Sequence, residues 1–259
     1  MITCFCGDIG IGKTSLMTAM ASRIMLNFNR EYENACDMIR DLQENGYKKF
    51  AFPPQKHVVY SNFEIKVANK YCSGKKSYAF DPYKFALPNN EIPFELFPPG
   101  ASFFITEGQA VYNSRKSKKF RACVSRLFEN SRHIDWDIYI DAQRIMLIDL
   151  NIRDLAQRVI VPLELVQKED GFGFVNKTIW YCYEFKRWDD ADLFITSGKL
   201  KNYKKLKYVY EGDIFKNYDS KMNRKAFYPL KNKGKWKLSY LDWADVKEIF
   251  LLEPVNFRE

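Results

Sequence analysis

Residues 7 to 14 read GDIGIGKT, and this segment constrains the fold more than any other part of the chain. It matches the phosphate-loop pattern G-x-x-x-x-G-K-[ST], whose glycines let backbone N–H groups converge on phosphate oxygens. The lysine reaches the β and γ phosphates, and the threonine offers its hydroxyl to magnesium. An apolar run precedes the loop, and Leu16, Met20 and Ile24 follow it with helical spacing. The motif therefore has the strand and helix that it requires, and we predict that the chain binds ATP with Mg2+.

The residues predicted to hold the nucleotide phosphates form one continuous segment. They are Gly7, Asp8, Ile9, Gly10, Ile11, Gly12, Lys13, Thr14 and Ser15. Because a helix begins within this segment, the positive end of the helix dipole adds to the attraction for phosphate.

The first 167 residues alternate between strand patterns and helix patterns. Apolar runs predict strands at residues 2–6, 57–67, 101–106, 135–141 and 158–166. Helical spacing predicts a helix after the phosphate loop and further helices at residues 30–46, 117–131 and 152–157. Such alternation favours an α/β fold with a mostly parallel central sheet covered on both faces.

The pattern changes at about residue 168. Residues 171–188 have aromatic and β-branched residues at strand density, and no helical period returns before residues 240–253. We therefore predict a P-loop ATPase core over residues 1–167. Residues 168–259 form a β-rich basic extension packed on that core, which ends in a short helix.

Positive charge is concentrated in one region of the chain. The formal net charge is +9, and residues 199–237 contain 13 Lys or Arg against 3 acidic residues, so the rest is close to neutral. The cations alternate with aromatic residues such as Tyr203 and Tyr208, a mixture that suits nucleic acid or anionic lipid. A solvated surface is the open alternative. No base-reading motif is present, so any DNA binding is expected to tolerate sequence changes.

Composition excludes several other classes of protein. The six cysteines have no C-x-x-C pair and the chain has only two histidines, which argues against a zinc site and for reduced thiols. The N-terminus lacks the features of a signal peptide, and no segment approaches the roughly 18 apolar residues of a membrane-spanning helix.

Polar residues follow two of the predicted buried strands. Glu107 ends the run FFITE, where a carboxylate would orient and polarise the attacking water. Gln143 ends the run DIYIDAQ and would contact the γ phosphate. Each could also be an ordinary polar residue at a strand end. An arginine from a neighbouring subunit would stabilise charge on the transferred group, and the candidates left open are Arg126, Arg132, Arg153 and Arg158.

The order and spacing of several segments resemble one family. The segments are CFCGDIGIGKTS, VVYSN, FFITEGQAVYNSR, NSRHIDWDIYIDAQRIMLIDLNIRDLAQ, YEFKRW and IFKNYDS. Together they resemble the Zot-like ATPases, which include the gene I morphogenesis proteins of filamentous phages, over roughly residues 1 to 220.

This resemblance implies a RecA-like core of the additional-strand class, related to the HerA and FtsK motors. It implies a homo-oligomeric, hexameric ring that couples ATP hydrolysis to phage assembly and DNA export. By position, it assigns phosphate binding to Gly12, Lys13 and Thr14, and the catalytic roles to Glu107 as carboxylate, Gln143 as sensor and Arg153 as an arginine finger acting in trans.

The chain departs from this pattern at Thr106, where an aspartate that holds magnesium is expected. Thr106 brings no charge to the metal, although its hydroxyl remains a candidate ligand beside Thr14. The implied strand order places the sensor strand next to the phosphate loop, and residues 141 and 143 point the same way on a strand. Asp141 is therefore the predicted replacement ligand for Mg2+; the alternative is that it caps the following turn.

A second departure concerns the membrane. Family members that extrude filamentous phage usually carry a transmembrane helix after the ATPase region, and this sequence shows none. We expect a chain that docks on a separate membrane protein, a truncated chain, or service to a virus that packages or exports DNA differently. The expected location is the host cytoplasm, with association at the inner face of the membrane or with the virion.

The sequence thus predicts a viral or prophage motor ATPase that couples ATP hydrolysis to phage assembly and to export or packaging of DNA. Its expected partners are copies of itself, phage DNA, and membrane or capsid proteins of the assembly. One alternative is a nucleotide-gated structural protein with little hydrolysis, which the missing aspartate favours. A P-loop small-molecule kinase is the other.

Overall fold

The central element of the protein is a mixed eight-stranded sheet. The structure is a computed structural model that describes residues 1–45, 58–63, 65, 78–79, 100–115, 128–217, 231–232 and 235–236. The strands of the sheet are β1 (Ile2–Cys6), β2 (Val59–Ser61), β3 (Tyr78–Ala79), β4 (Ser102–Ile105), β5 (Asp137–Ala142), β6 (Arg158–Glu169), β7 (Val175–Phe185) and β8 (Tyr203–Glu211). Their order across the sheet is β3-β2-β4-β5-β1-β6-β7-β8.

The helices are α1 (Lys13–Glu44), α2 (Gly108–Val111), α3 (Leu150–Leu155) and α4 (Trp188–Ser197). Single 3-10 turns lie at Ile145–Leu147 and Ile214–Lys216, and β9 (Lys231–Asn232) pairs with β10 (Lys235–Trp236) outside the main sheet.

The six neighbouring strands β3, β2, β4, β5, β1 and β6 are parallel, which confirms the predicted α/β fold with a mostly parallel sheet. The strand β5 lies between β1 and β4. This is the additional-strand arrangement that the sequence resemblance implied. Parallel strands end at the same edge of the sheet, so the phosphate loop after β1 lies beside the segments after β4 and β5.

Two apolar clusters cover the two faces of the sheet. One contains Leu16, Met17 and Met25 of α1 packed on residues such as Phe5, Phe104 and Tyr139. The opposite cluster joins α2, α3 and α4 to Ile138, Ile140 and their neighbours. The buried strand residues alternate between these faces, as expected for a sheet with cover on both sides.

The structure corrects two sequence predictions about helices. Residues 13 to 44 form one helix, where the sequence predicted a break before residue 30. Neither proline nor glycine occurs between these residues, so nothing interrupts the backbone hydrogen bonds. The helix α4 was missed, although Asp189 and Asp190 in its first turn and Gly198 at its C-terminal end are typical helix-boundary signals. Of the helix predicted at 117–131, only residues 128–130 are described, and these are helical.

The β-rich extension continues the sheet of the core. The strand β6 crosses the predicted boundary at residue 167, and β7 and β8 add to it as antiparallel strands. The predicted final helix at residues 240–253 lies outside the described residues.

The thiols that the structure describes are free and buried, at Cys4, Cys6 and Cys182. Burial raises the pKa of the Cys4 thiol to about 12, so this thiol stays protonated and unreactive. No helix in the described ranges is long and apolar enough to cross a membrane.

Candidate functional site

The phosphate loop curls between β1 and α1 as the motif predicts. The side chain of Lys13 lies inside the curve, where its Nζ atom donates hydrogen bonds of 2.8 Å to the carbonyl oxygens of Gly7 and Asp8. The Gly7 N–H donates to the Gln143 carbonyl oxygen at 3.2 Å, which ties the start of the loop to the end of β5. The loop is therefore shaped by its own lysine and by the neighbouring strand.

Gly12 is the loop position that most needs to be glycine. Its φ is 86°, and an added Cβ atom would lie 2.7 Å from Leu165 Cδ1 and 3.1 Å from Trp180 Nε1. Leu165 lies on β6 and Trp180 on β7, so the β6–β7 hairpin packs against the loop at Gly12. Trp180 Nε1 also donates a hydrogen bond of 3.2 Å to Ser15 Oγ, which donates to the Gly12 carbonyl oxygen at 2.8 Å. No pattern in the sequence indicated this support.

Asp141 lies at the centre of the site. One carboxylate oxygen accepts a hydrogen bond of 3.0 Å from Thr14 Oγ1, and the other accepts one of 2.6 Å from the Glu107 N–H. The side chain is 3% exposed. A single carboxylate thus joins the phosphate loop to the end of β4, at the place where the sequence predicted a replacement ligand for Mg2+.

Burial perturbs the titration of this carboxyl group. Loss of solvation raises the pKa of Asp141 from 3.8 to about 6, and the charge of Glu107 acts in the same direction. The hydrogen bond from the Glu107 N–H and the charge of Lys13 oppose the rise. A cation bound beside Asp141 would favour the ionised form further, because an opposite charge within a few ångströms lowers the pKa of a carboxyl group.

The oxygen atoms of this site fit a magnesium ion. Mg2+ prefers one or two carboxylates together with substrate phosphates and water, and a threonine hydroxyl completes the set in P-loop proteins. Thr14 Oγ1 and Asp141 Oδ2 supply such oxygens 3.0 Å apart, at the start of α1. No group of three or more metal-binding side chains occurs among the described residues.

Thr106 is buried and makes its hydrogen bonds with Asn62. It is 1% exposed, and Asn62 contacts it through three polar atoms: the Thr106 N–H donates to Asn62 Oδ1 at 2.8 Å, Asn62 Nδ2 donates to the Thr106 carbonyl oxygen at 3.0 Å, and the Thr106 hydroxyl lies 3.5 Å from Asn62 Oδ1. A role for Thr106 as a metal ligand stays a prediction. The sequence also did not single out Asn62.

Glu107 and Gln143 lie at neighbouring strand ends with exposed side chains. Glu107 has a φ of 54°, which is uncommon for a residue other than glycine. Its carboxylate accepts a hydrogen bond from Gln109 Nε2. The site thus brings together Lys13, Thr14 and Asp141, with Glu107 and Gln143 at its border.

The arginine candidates separate into different environments. Arg153 is 6% exposed, and its guanidinium lies 4.5 Å from the centre of the Trp188 ring. Arg158 donates to Glu184 and is part of the sheet. Arg132 is exposed, and Arg126 lies outside the described residues. A role for Arg153 in trans stays a prediction, and it requires the side chain to leave Trp188.

The chain is similar to several solved structures. No protein-family model matches the chain, and no curated protein matches it. Among solved structures, it is similar to the N-terminal domain of zonular occludens toxin from Neisseria meningitidis, with a TM-score of 0.48 and 17% identity over 84% of this chain and 98% of that one.

The chain is also similar to a viral packaging protein. The genome packaging NTPase B204 from Sulfolobus turreted icosahedral virus 2, solved in complex with ATP-gammaS, has a TM-score of 0.36 and 13% identity over 82% of this chain and 96% of that one. The DNA-packaging ATPase B204 from Sulfolobus turreted icosahedral virus has a TM-score of 0.35 and 10% identity over 82% of this chain and 97% of that one.

Proposed function

We propose that the protein is an ATPase that hydrolyses ATP at the phosphate loop and uses the reaction to move phage DNA during virus assembly. The observation that carries the proposal is the position of Asp141, whose carboxylate contacts both Thr14 of the loop and the backbone of Glu107. Nucleotide binding and water activation thereby share one rigid connection. A turn that only joined a strand to a helix would not require a buried carboxylate that contacts both Thr14 and Glu107.

Each group at the site has a role in this proposal. The loop N–H groups and Lys13 bind the phosphates, while Thr14 and Asp141 hold magnesium. When bound, the magnesium ion neutralises phosphate charge and aligns the phosphate oxygens. Glu107 orients the water that attacks the γ phosphorus, as the bond from that phosphorus to ADP breaks, and Gln143 contacts the γ phosphate. The water proton leaves with the phosphate product or passes to Glu107.

The cationic edge of the sheet supports DNA as the moved polymer. The outermost strand β8 exposes Lys204, Lys205, Lys207 and Tyr203, and Lys207 Nζ lies 5.9 Å from the centre of the Tyr181 ring. Lysines beside aromatic rings bind phosphates and stack on bases without reading sequence. The finer assignment, a homo-oligomeric ring of a virus or prophage that exports or packages its DNA, is supported by the Zot-like resemblance of the sequence.

Steady-state hydrolysis tests this proposal. We expect magnesium-dependent ATP turnover that single- or double-stranded DNA stimulates, and a loss of turnover in Glu107→Gln with nucleotide binding retained. Tight ATP binding with equal, negligible turnover in both proteins, with and without DNA, would contradict the motor. That result would favour the nucleotide-gated structural protein, for which the uncharged Thr106 beside Glu107 is the supporting observation.

A further inference from the structure

The side chain of Asn62 is bound to the backbone of the strand that carries Glu107. Asn62 directly follows β2, and its amide group donates to the Thr106 carbonyl oxygen at 3.0 Å and accepts from the Thr106 N–H at 2.8 Å. Its own N–H donates to the Phe104 carbonyl oxygen at 3.2 Å. With the longer bond of 3.5 Å from the Thr106 hydroxyl to Asn62 Oδ1, one asparagine makes four hydrogen bonds to two residues of the neighbouring chain segment.

This side chain takes the place of a strand backbone. The register pairs Ser61 with Phe104, so two further steps of a regular ladder would bring Phe63 opposite Thr106. The strand β2 ends at Ser61, whose hydroxyl donates to the Phe63 carbonyl oxygen and turns the chain there. The Asn62 side-chain amide offers Thr106 one donor and one acceptor, as a peptide group does. It therefore replaces the backbone hydrogen bonds that a longer β2 would make.

The segment that Asn62 holds has a backbone conformation that needs external support. Glu107 lies in the left-handed region, with φ 54° and ψ 41°. Such a conformation persists in a residue with a side chain when surrounding contacts fix it. On one side Asn62 binds Thr106, and on the other side Asp141 accepts the Glu107 N–H. Gly108 then passes so close to Ile140 that no Cβ atom would fit.

The absence of charge on Thr106 suits its contact with the amide oxygen of Asn62. The Thr106 hydroxyl lies 3.5 Å from Asn62 Oδ1, an oxygen that already accepts the Thr106 N–H. An aspartate at position 106 would bring a carboxylate oxygen near that amide oxygen, and two acceptors repel each other. The uncharged threonine is thus compatible with the asparagine, whereas the charge required at the site comes from Asp141.

We propose that Asn62 is a positioning residue for hydrolysis. It fixes the Thr106–Glu107 backbone, and through it the distance from the Glu107 carboxylate to the phosphate loop. The role rests on the proposed ATPase function, in which Glu107 orients the attacking water. Asn62 makes no contact with the phosphate loop in the hydrogen bonds of the described residues, so it serves turnover without serving nucleotide binding.

The test compares Asn62→Ala with wild type and with Asn176→Ala, which removes an exposed asparagine from β7. Misplacement of a catalytic group by about 1 Å lowers rates by about a hundredfold, so we expect the kcat of Asn62→Ala to fall by at least about tenfold. The dissociation constant for magnesium ATP should stay within about twofold of wild type, because the loop contacts remain. The control should match wild type in both. Asn62→Asp, which keeps the acceptor but places a second acceptor beside the Thr106 carbonyl oxygen, should lower kcat at least as much as alanine does.

Hydrogen exchange separates failure of this proposal from failure of the proposed function. In the full-length protein without nucleotide, the Thr106 amide should exchange faster in Asn62→Ala than in wild type or Asn176→Ala. Unchanged exchange, an unchanged kcat, or equal losses of affinity and kcat would overturn the role of Asn62. A wild-type protein that binds ATP without turnover would instead refute the ATPase, and the exchange experiment would still judge the contact of Asn62 with Thr106.

Discussion

Replacing Asp141 with asparagine should stabilise the nucleotide-free protein and weaken its binding of magnesium ATP. Asparagine keeps the size of the side chain and an oxygen that accepts the Glu107 N–H, and its amide can donate to the Thr14 hydroxyl. The contacts at 2.6 and 3.0 Å are therefore retained in form. What the substitution removes is a buried negative charge and a ligand for the metal.

The size of the stabilisation follows from the pKa. A rise in the pKa of Asp141 from 3.8 to about 6 corresponds to about 3 kcal/mol. Because the folded-state pKa is the higher one, the protonated carboxyl group favours folding below pH 3.8, and this contribution is lost as pH rises through about 6. The amide of the Asp141→Asn variant would behave as the protonated carboxyl group does, at every pH. The variant should thus match wild type near pH 4 and exceed it by up to about 3 kcal/mol at pH 8.

The assay is urea unfolding of both proteins at several pH values, together with titration of a fluorescent ATP analogue with and without magnesium. Asp137→Asn is the matched control, because it removes an acid from the opposite end of β5, where Asp137 pairs with the N-terminal amine at 3.1 Å. Wild-type affinity for magnesium nucleotide should also fall as pH drops below about 6, since a protonated Asp141 cannot bind the metal and its pKa is raised to that value.

Two results would refute this reasoning. One is a stability difference between variant and wild type that is the same at pH 8 as at pH 4, because the pKa of Asp141 would then be equal in the folded and unfolded protein. The other concerns the ligand: Asp141→Ala should weaken magnesium-nucleotide binding more than Thr106→Ala does. Equal and negligible effects of these two substitutions would remove Asp141 from the metal site.

Two further predictions concern Gly12 of the phosphate loop and the outermost strand, β8. Gly12→Ala should destabilise the protein by about 2–5 kcal/mol and abolish nucleotide binding, because the left-handed conformation costs about 1–2 kcal/mol and the clash with Leu165 about 1–3 kcal/mol more. Unfolding and nucleotide-binding measurements test this prediction. The control is Gly171→Ala, where an added Cβ atom meets no neighbour. If β8 contacts the DNA backbone, changing its three exposed lysines to glutamine should reduce the dependence of log affinity on log salt by about 2 for single-stranded and about 3 for double-stranded DNA. The residues are Lys204, Lys205 and Lys207. An unchanged slope in a binding assay over several salt concentrations would contradict that contact.

Local patterns were enough to predict the phosphate loop and the strands that flank it. The sequence of the loop sets its own conformation, because Lys13 and the glycines act within a few residues of each other. The position of Asp141 was accessible from the strand order that the resemblance implied, together with the rule that residues two apart on a strand share a face. A helix of ten residues, α4, was missed because the surrounding region is rich in strand-forming aromatic residues, even though its end signals were present.

Contacts between distant segments were not accessible in the same way. Asn62 and Thr106 are 44 residues apart, and their contact depends on the register of β2 against β4. Trp180 meets Ser15 only because β7 folds back on β6 beneath the loop, and no local pattern indicates where that hairpin points. The environment of Arg153 likewise follows from the position of α4, which brings Trp188 against it.

The relative positions of Thr106 and Asp141 follow from the strand order. The register pairs Ile105 with Ile140, so Thr106 and Asp141 are neighbours across two parallel strands. Adjacent strands are about 4.8 Å apart, and β5 lies one strand closer to the phosphate loop than β4 does. A carboxylate on β5 therefore reaches Thr14 directly, at 3.0 Å, and still accepts the Glu107 N–H on its other side. Asp141 on β5 therefore supplies a carboxylate beside the Thr14 hydroxyl, while Thr106 on β4 pairs with Asn62. The lack of an aspartate before Glu107 is thus compatible with hydrolysis.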